Sequence, residues 1–378
     1  MKVVFASNYL NHHQLPICLE FLKQTDGQFV FVATAKVPEE RLALGYANMN
    51  KQYPWVVCAY ESYEEKIRAK KLIEEADVVI TGSAPDYFIK NRLKKNKLTF
   101  RYSERIYKRK PKWYKQIVYK FQHYFRHVRH KNLYMLCSSA YTASDYAKTG
   151  AFISKCYKWG YFPQVKEYAD VKKIIDKKEK NSIVWVGRFI GLKNPEYVVS
   201  LAERLKNDGY MFSIKMIGTG ELVEEIKSSI VEKGLENQVE IMGAMSPEEV
   251  RKEMENSQIH IFTSDRNEGW GAVLNEAMNS ACACVCANEI GAAKFLMEDN
   301  SNGLLFNSGD VQDLIEKVEK LLNDEELTVK LATNAYDTIT KEWNAQNAVN
   351  KFLTTCDNYF SKGKLEFLFN SGVLSKSE

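Results

Sequence analysis

Short β-branched apolar runs alternate along this chain with stretches whose apolar residues recur every third or fourth position. The alternation is most regular in the C-terminal half. There SIVWVG (182–187), FSIKMIG (212–218), VEIMG (239–243), IHIFTS (259–264) and ACVCA (283–287) predict strands. Each precedes a helical stretch: NPEYVVSLAERLKN, ELVEEIKSSIVEKG, SPEEVRKEMEN, GAVLNEAMNS and GAAKFLME. Asn194 with Pro195 predicts an N-cap followed by proline at the first helical position, and Ser246, Pro247 and Glu249 predict a capping box. Regular strand–helix alternation with short links implies a parallel sheet with helices on both faces. The N-terminal half repeats the pattern less cleanly in KVVFAS, FVFVAT, WVVCA, ADVVITG (76–82), LTF (98–100) and LYMLCSS (133–139), with a helix opening near Gln14 or Pro16.

The polar, Lys-rich stretch QVKEYADVKKIIDKKEKN (164–181) predicts a linker. The expected organisation is an N-terminal domain at 1–165, a linker at 166–180 and a second domain at 181–342. A C-terminal helix and tail, 343–378, then pack back toward the first domain. The fold class is α/β, two doubly wound domains facing a cleft. Ligands of such sheets sit at the carboxyl ends of the strands.

Composition narrows the class. At 378 residues the chain has length for two or three domains, and no apolar run approaches the roughly 18 residues that span a bilayer. The start, MKVVFASNYLNHHQ, has neither a long apolar stretch nor a small-residue cleavage site, so a cytoplasmic location is expected. The eight cysteines follow no paired framework; Cys282, Cys284 and Cys286 alternate and would share one strand face as buried apolar filler in a reducing compartment. The net charge of +5 conceals an asymmetry: between Lys90 and Lys131 lie 16 Lys/Arg and one acid, Glu104, leaving the remainder at net −10. An acidic body with one basic segment points to an anionic partner for that segment.

The strongest candidate chemistry is SDRNEGWGAVLNE (264–276). Glu268 precedes Gly269, Trp270 and Gly271 at the start of a helix, where free amides bind phosphate. Glu276, within the first two turns, can accept from ribose hydroxyls. A capping glutamate followed by an exposed helical one is the plainer alternative. In RFIGLK (188–193), Arg188 and Lys193 flank a loop at a strand's carboxyl end, suiting a pyrophosphate clamp, or else two solvated charges. Gly218 and Gly220 mark a tight strand-to-helix turn that lacks the third glycine of a dinucleotide fingerprint.

In order and strand-end position these elements resemble retaining nucleotide-sugar glycosyltransferases of family 4, with the GT-B architecture of two Rossmann-like domains. The matching residues are Gly187-Arg188 with Lys193, Gly218-x-Gly220, Gly243 with the SPEEV helix, Glu268-Gly-x-Gly271 with Glu276, and Asn302-Gly303-Leu-Leu-Phe306. The resemblance covers 181–342. It implies that Arg188 and Lys193 neutralise the donor diphosphate, Glu276 holds the ribose, Glu268 lies near the reacting sugar carbon and backbone from Gly243 to Met245 faces the base. It implies front-face displacement with retention, a UDP- or GDP-linked sugar as donor substrate, no cofactor and no metal. The chain departs from the family's pattern at NSACACVCA and NEIGAA, and in SNYLNHHQLP (7–16), where relatives carry a double-Gly loop. His12 and His13 are acceptor-side candidates there. Glu104 and Arg105 stand where relatives commonly place an active-site histidine, and are candidates too.

Residues 112–130 form an amphipathic pattern. Trp113, Tyr114, Ile117, Val118, Phe121, Tyr124, Phe125 and Val128 span an arc of about 140°, with Lys112, Lys115, His123, Arg126, His127 and His130 opposite. Either the arc packs on the domain's own sheet, or Lys112, Trp113, Lys115, Phe121, Arg126 and Arg129 mark a membrane-surface helix. Nucleic acid is not an expected partner, since no binding module accompanies the patch. The expected activity is transfer of a hexose onto a glycan, lipid-linked by preference, in bacterial surface polysaccharide (lipopolysaccharide or capsule) assembly. The protein would then be peripheral on the inner face of the inner membrane. A sugar-nucleotide epimerase of the same architecture and a non-catalytic nucleotide or polyanion binder are the competing readings.

Overall fold

The computed structural model describes every residue except 40, 41, 43–46 and 109–112, and the backbone alone at 113–116. Its contacts divide the chain into two units, one made of 1–164 with 344–378 and the other of 165–343.

The first unit is a seven-stranded parallel sheet ordered β3-β2-β1-β4-β5-β6-β7. The strands are β1 (Val3–Ser7), β2 (Phe29–Ala33), β3 (Val56–Cys58), β4 (Val78–Thr81), β5 (Thr99–Ser103), β6 (Leu133–Cys137) and β7 (Cys156–Lys158). β1, β4 and β6 are buried from end to end, as continuous apolar runs in a doubly covered parallel sheet must be. The helix Ala345–Lys362 packs on the helix Leu15–Gln24, with Phe352 against Phe21 (5.3 Å between ring centroids) and Phe100 (4.9 Å). The tail beyond it closes the β7 edge: Lys158 N–H donates to the Ser375 carbonyl (2.8 Å) and Leu374 N–H to that of Lys158 (2.9 Å). An edge paired this way offers no template for a foreign strand.

The second unit is a six-stranded parallel sheet ordered β10-β9-β8-β11-β12-β13. Its strands are β8 (Glu179–Val186), β9 (Ser213–Ile217), β10 (Val239–Gly243), β11 (Ser257–Phe262), β12 (Ala283–Ala287) and β13 (Leu304–Phe306). β7 and β13 are strands that the sequence pattern does not announce, each only three residues long. All eight cysteines are buried and free, three of them in or next to β12.

Two sequence expectations need correction. The stretch expected to link the domains, 166–180, is built into the second unit. Asp170 caps the helix Val171–Asp176, and β8 begins at Glu179. Lys178 is buried, and its ammonium donates to the carbonyls of Met254, Glu255, Ser257 and Ser280 at 2.8–3.1 Å. These oxygens include those left unpaired where the helices Pro247–Asn256 and Ala272–Asn279 end. Second, Asn194 does not cap the next helix through its side chain. It adopts a left-handed backbone (φ 47°), and its amide donates to the Thr263 carbonyl (2.8 Å). The capping box at Ser246 and Glu249 forms as the spacing predicts.

Lys178→Ala strands several buried carbonyls without a donor. It should destabilise the protein by about 3 kcal/mol or more, lowering the melting temperature by roughly 10 °C in calorimetry. A fall under about 2 °C would show that the ammonium is replaceable there.

Candidate functional site

In the second unit the strand order reverses direction between β8 and β11, and it is at the carboxyl ends of strands flanking such a reversal that ligands of doubly wound sheets bind. The loop after β8 is fixed from one side by the turn after β9. Phe189 N–H donates to the Thr219 carbonyl (2.9 Å), and Leu222 N–H to that of Phe189 (3.0 Å). Gly218 lies so close that a Cβ would stand 1.9 Å from the Gly187 carbonyl oxygen. The paired glycines of this turn are therefore required by backbone packing.

From the other side the same loop is clasped by Thr263, the residue following β11. Its hydroxyl accepts from Trp185 Nε1 (2.9 Å) and donates to the Lys193 carbonyl (2.6 Å), and Asp265 N–H donates to the Leu192 carbonyl (3.0 Å). The clasp aims Lys193 at Glu268. Its Nζ stands 2.5 Å from Glu268 Oε2 and 5.2 Å from the Phe262 ring centroid, with the two side chains 13% and 17% exposed. Arg188 on the same loop is exposed and in no ion pair among the described residues. The helix Ala272–Asn279 starts at Gly271 in a left-handed conformation (φ 93°), where a Cβ would press into the Phe262 ring at 2.6 Å. Its first amides have no intrahelical acceptor.

Glu276, half-buried on that helix, has its carboxyl pushed above the usual range by burial, against the opposing pull of Arg251. Arg251 is held by Asn279 Oδ1 (2.8 Å) and Ser280 Oγ (3.3 Å). Gly243 ends β10 at a bulge, its carbonyl taking the Gly218 N–H (2.8 Å), and Met245 is half-buried beyond it. Trp270, expected on the donor side, has its side chain in the core. It is 1% exposed, its indole N–H donates to Asn275 Oδ1 (2.9 Å), and its ring packs near Phe295 and Trp343. Asn302 is a buried brace that donates to the Leu296 carbonyl and accepts from Glu298 N–H.

In the first unit, three of the four acceptor-side candidates meet around a residue that the sequence reading missed. The His12 and His13 rings lie 3.8 Å apart, His13 stacks on Tyr161 (6.0 Å, 6°), and the Tyr161 hydroxyl donates to Glu104 Oε1 (2.6 Å). Lys108 pairs with the other oxygen of Glu104 (3.3 Å). Nothing in the YFP tripeptide around Tyr161 marks it as a hub. Arg105 departs from this group: it is buried against Asp145 (3.6 Å) and lies over the Tyr141 ring, a structural pair.

The basic helix, Trp113–His123, runs on into a π-turn, Tyr124–Val128. Lys112 and the side chains of Trp113 and Lys115 fall outside the described residues. Of the two alternatives, packing of the arc on the domain's own sheet does not hold for the described residues from Ile117 onward, because the histidine side faces inward. His127 is buried against Phe152 (4.9 Å) and Tyr146 (5.7 Å), while Phe121 is exposed. Arg126 pairs with Asp86 (3.2 Å), and Arg129 lies over the Phe125 ring.

Both units have the Rossmann-like build, and whole-chain similarity identifies their combination as the GT-B fold. The chain superposes on a structure of Anabaena HepE in complex with UDP at TM-score 0.68, with 14% identity, covering 94% of this chain and 100% of that one. It also superposes on the pneumococcal O-GlcNAc transferase GtfA at TM-score 0.66, with 8% identity, covering 95% and 99%. Residues 168–338 match the family described as glycosyl transferases group 1, and the chain thus carries a group 1 glycosyltransferase domain in its second unit. An uncharacterized glycosyltransferase of Methanocaldococcus jannaschii is 32% identical over 152 residues, which is 40% of this chain and 41% of the relative. The alpha-D-kanosaminyltransferase of Streptomyces kanamyceticus is 28% identical over 153 residues, 40% and 39%. An undecaprenol-diphosphate-linked glycan N-acetylgalactosaminyltransferase of Campylobacter jejuni is 28% identical over 158 residues, 42% and 43%. The match thus spans about two fifths of each of these curated relatives.

A carboxyl whose folded value is raised is most favourable when protonated, so ionised Glu276 costs stability at neutral pH. Glu276→Gln should melt about 2 °C or more above the wild type near neutrality. The gap should close as the pH falls through the raised value and the wild-type carboxyl takes up its proton. Equal melting temperatures at every pH would contradict this environment.

Proposed function

We propose that this protein transfers a sugar from a nucleotide-sugar donor to a glycan acceptor with retention of configuration and without a bound metal. The observation that carries the reading is the Lys193–Glu268 pair at the carboxyl ends of β8 and β11, with exposed Arg188 on the same loop as Lys193 and Glu276 on the helix after Glu268. Two cations on one loop and the amides of a helix start suit a diphosphate, whose charge they stabilise as it departs. Ribose hydroxyls donating to Glu276 would favour its ionised form and offset the cost of its burial. Similarity to HepE, solved both with UDP and with UDP-glucose, supports the donor class.

In the proposed step the donor's anomeric carbon–oxygen bond breaks and the acceptor oxygen bonds to that carbon on the same face. The acceptor's hydroxyl proton passes to the departing phosphate oxygen. Glu268 lies beside the reacting carbon and stabilises its developing positive charge. His12, His13 and Glu104, now joined by Tyr161, are the acceptor-side candidates. The Campylobacter relative acts on an undecaprenol-diphosphate-linked glycan, and we extend that acceptor class, a lipid-linked glycan of surface polysaccharide assembly, to this chain.

A thermal-shift screen with UDP, GDP and their sugar conjugates identifies the donor, since a ligand specific to the folded state raises apparent stability. With that donor, Glu268→Gln should lower turnover by on the order of 10²-fold or more. Near-normal turnover would remove Glu268 from the reacting centre. Activity should survive EDTA; loss restored by Mn²⁺ or Mg²⁺ would contradict the cationic clamp.

A further inference from the structure

The helix Trp113–His123 and its π-turn are seated with their apolar side outward. Ile117, Val118, Phe121, Tyr124, Phe125 and Val128 are 40–69% exposed. The opposite side is anchored. His123 Nδ1 is 2.8 Å from the Thr149 hydroxyl, His127 is buried beside Phe152, and Arg126 is tied to Asp86. Rotation that would hide the aromatic arc would break all three anchors.

We propose that this face lies in the plane of an anionic lipid bilayer and that the contact continues beyond the helix onto Tyr87. Asp86 carries the continuity: it holds Arg101 (2.7 Å) and Arg126 (3.2 Å), and its neighbour Tyr87 is exposed. The ammoniums of Lys66 and Lys70, from the separate helix Tyr63–Glu75, stand 4.9 and 5.2 Å from the Tyr87 ring centroid. Lys70, Tyr87 and Lys90 line one pocket together with Glu74, which is itself paired with Lys95. Two elements thus present the same combination of aromatic rings flanked by cations.

Charge complementarity selects the occupant. Arg92 and Arg105 are buried and Arg101 and Arg126 are paired with Asp86, but Lys120, Arg129 and Lys131 are exposed along the helix and its turn, as Lys90 is near Tyr87. These cations suit an anionic partner, whereas the exposed Ile117, Val118 and Val128 suit an apolar one. An anionic bilayer surface supplies both, with headgroups for the cations and acyl chains for the arc. A nucleic acid would leave the aliphatic positions in water. Among the described residues no helix is long and apolar enough to cross a membrane, so the contact is interfacial. The inference does not depend on nucleotide binding, so its failure and that of the transfer reading are separate events.

Flotation of the full chain with two kinds of vesicle tests it: phosphatidylcholine alone, and phosphatidylcholine with about a third phosphatidylglycerol. The wild type should float only with the anionic vesicles, and less so as salt rises. Phe121→Asp combined with Phe125→Asp should cut that partition about tenfold or more with an unchanged melting temperature. Lys66→Glu with Lys70→Glu, on the other helix, should cut it several-fold. Failure of the wild type to bind anionic vesicles at low salt overturns the proposal. So does wild-type binding by the Phe121/Phe125 variant, or a dimer in light scattering that this variant dissolves in the absence of any bilayer binding. Should the Phe121/Phe125 variant melt early, the Lys66/Lys70 variant decides alone, and undiminished flotation overturns the proposal.

Discussion

The geometry at the carboxyl ends of β8 and β11 depends on one clasp, the Thr263 hydroxyl bridging Trp185 on β8 and the Lys193 carbonyl. Parallel strands alone place two loops at the same sheet end, but not at a fixed spacing. Thr263 and the Asn194 amide on its carbonyl set that spacing, and the glycine turn after β9 limits it from behind. Lys193 reaches Glu268 because of this, from a loop 75 residues away. The left-handed Asn194 is part of the arrangement, since asparagine tolerates that conformation and lends its side chain to the clasp.

An ion pair this little exposed pays for desolvation through geometry and is poor evidence of stability. Its meaning is that of a held charge. Glu268 neutralises Lys193, while Arg188 is exposed. An arriving diphosphate would compete with the carboxylate for Lys193, leaving Glu268 free beside the sugar. Glu276 fits the same proposal, as a carboxyl whose burial disfavours its ionised form.

Much of the fold is legible in the sequence because the sheets are buried on both faces, so strands such as β1, β6 and β12 stand out as apolar runs. The residues proposed for the donor side stand out for a related reason: Arg188, Lys193 and Glu268 follow predicted strands within six residues, and Glu276 lies on the helix that comes next. What stays hidden depends on contacts distant in sequence. Lys178 looks like one solvated lysine among several, and only the helix ends of other segments make it a buried anchor. Tyr161 gains its place from His13 and Glu104, 57 residues from the latter. Helical periodicity separates the two faces of 113–128 without saying which faces in. The buried histidine–aromatic contacts around Tyr146 and Phe152 decide that.

The proposed function implies that a diphosphate takes the place of Glu268 at Lys193. Calorimetric titration of a nucleoside diphosphate into the wild type, Lys193→Met and Glu268→Gln tests this directly. Lys193→Met should weaken binding by about tenfold or more, the loss of one charge-assisted contact. Glu268→Gln should bind more tightly than the wild type, since the competing carboxylate is gone. Weaker binding by Glu268→Gln, or no change in Lys193→Met, would contradict it.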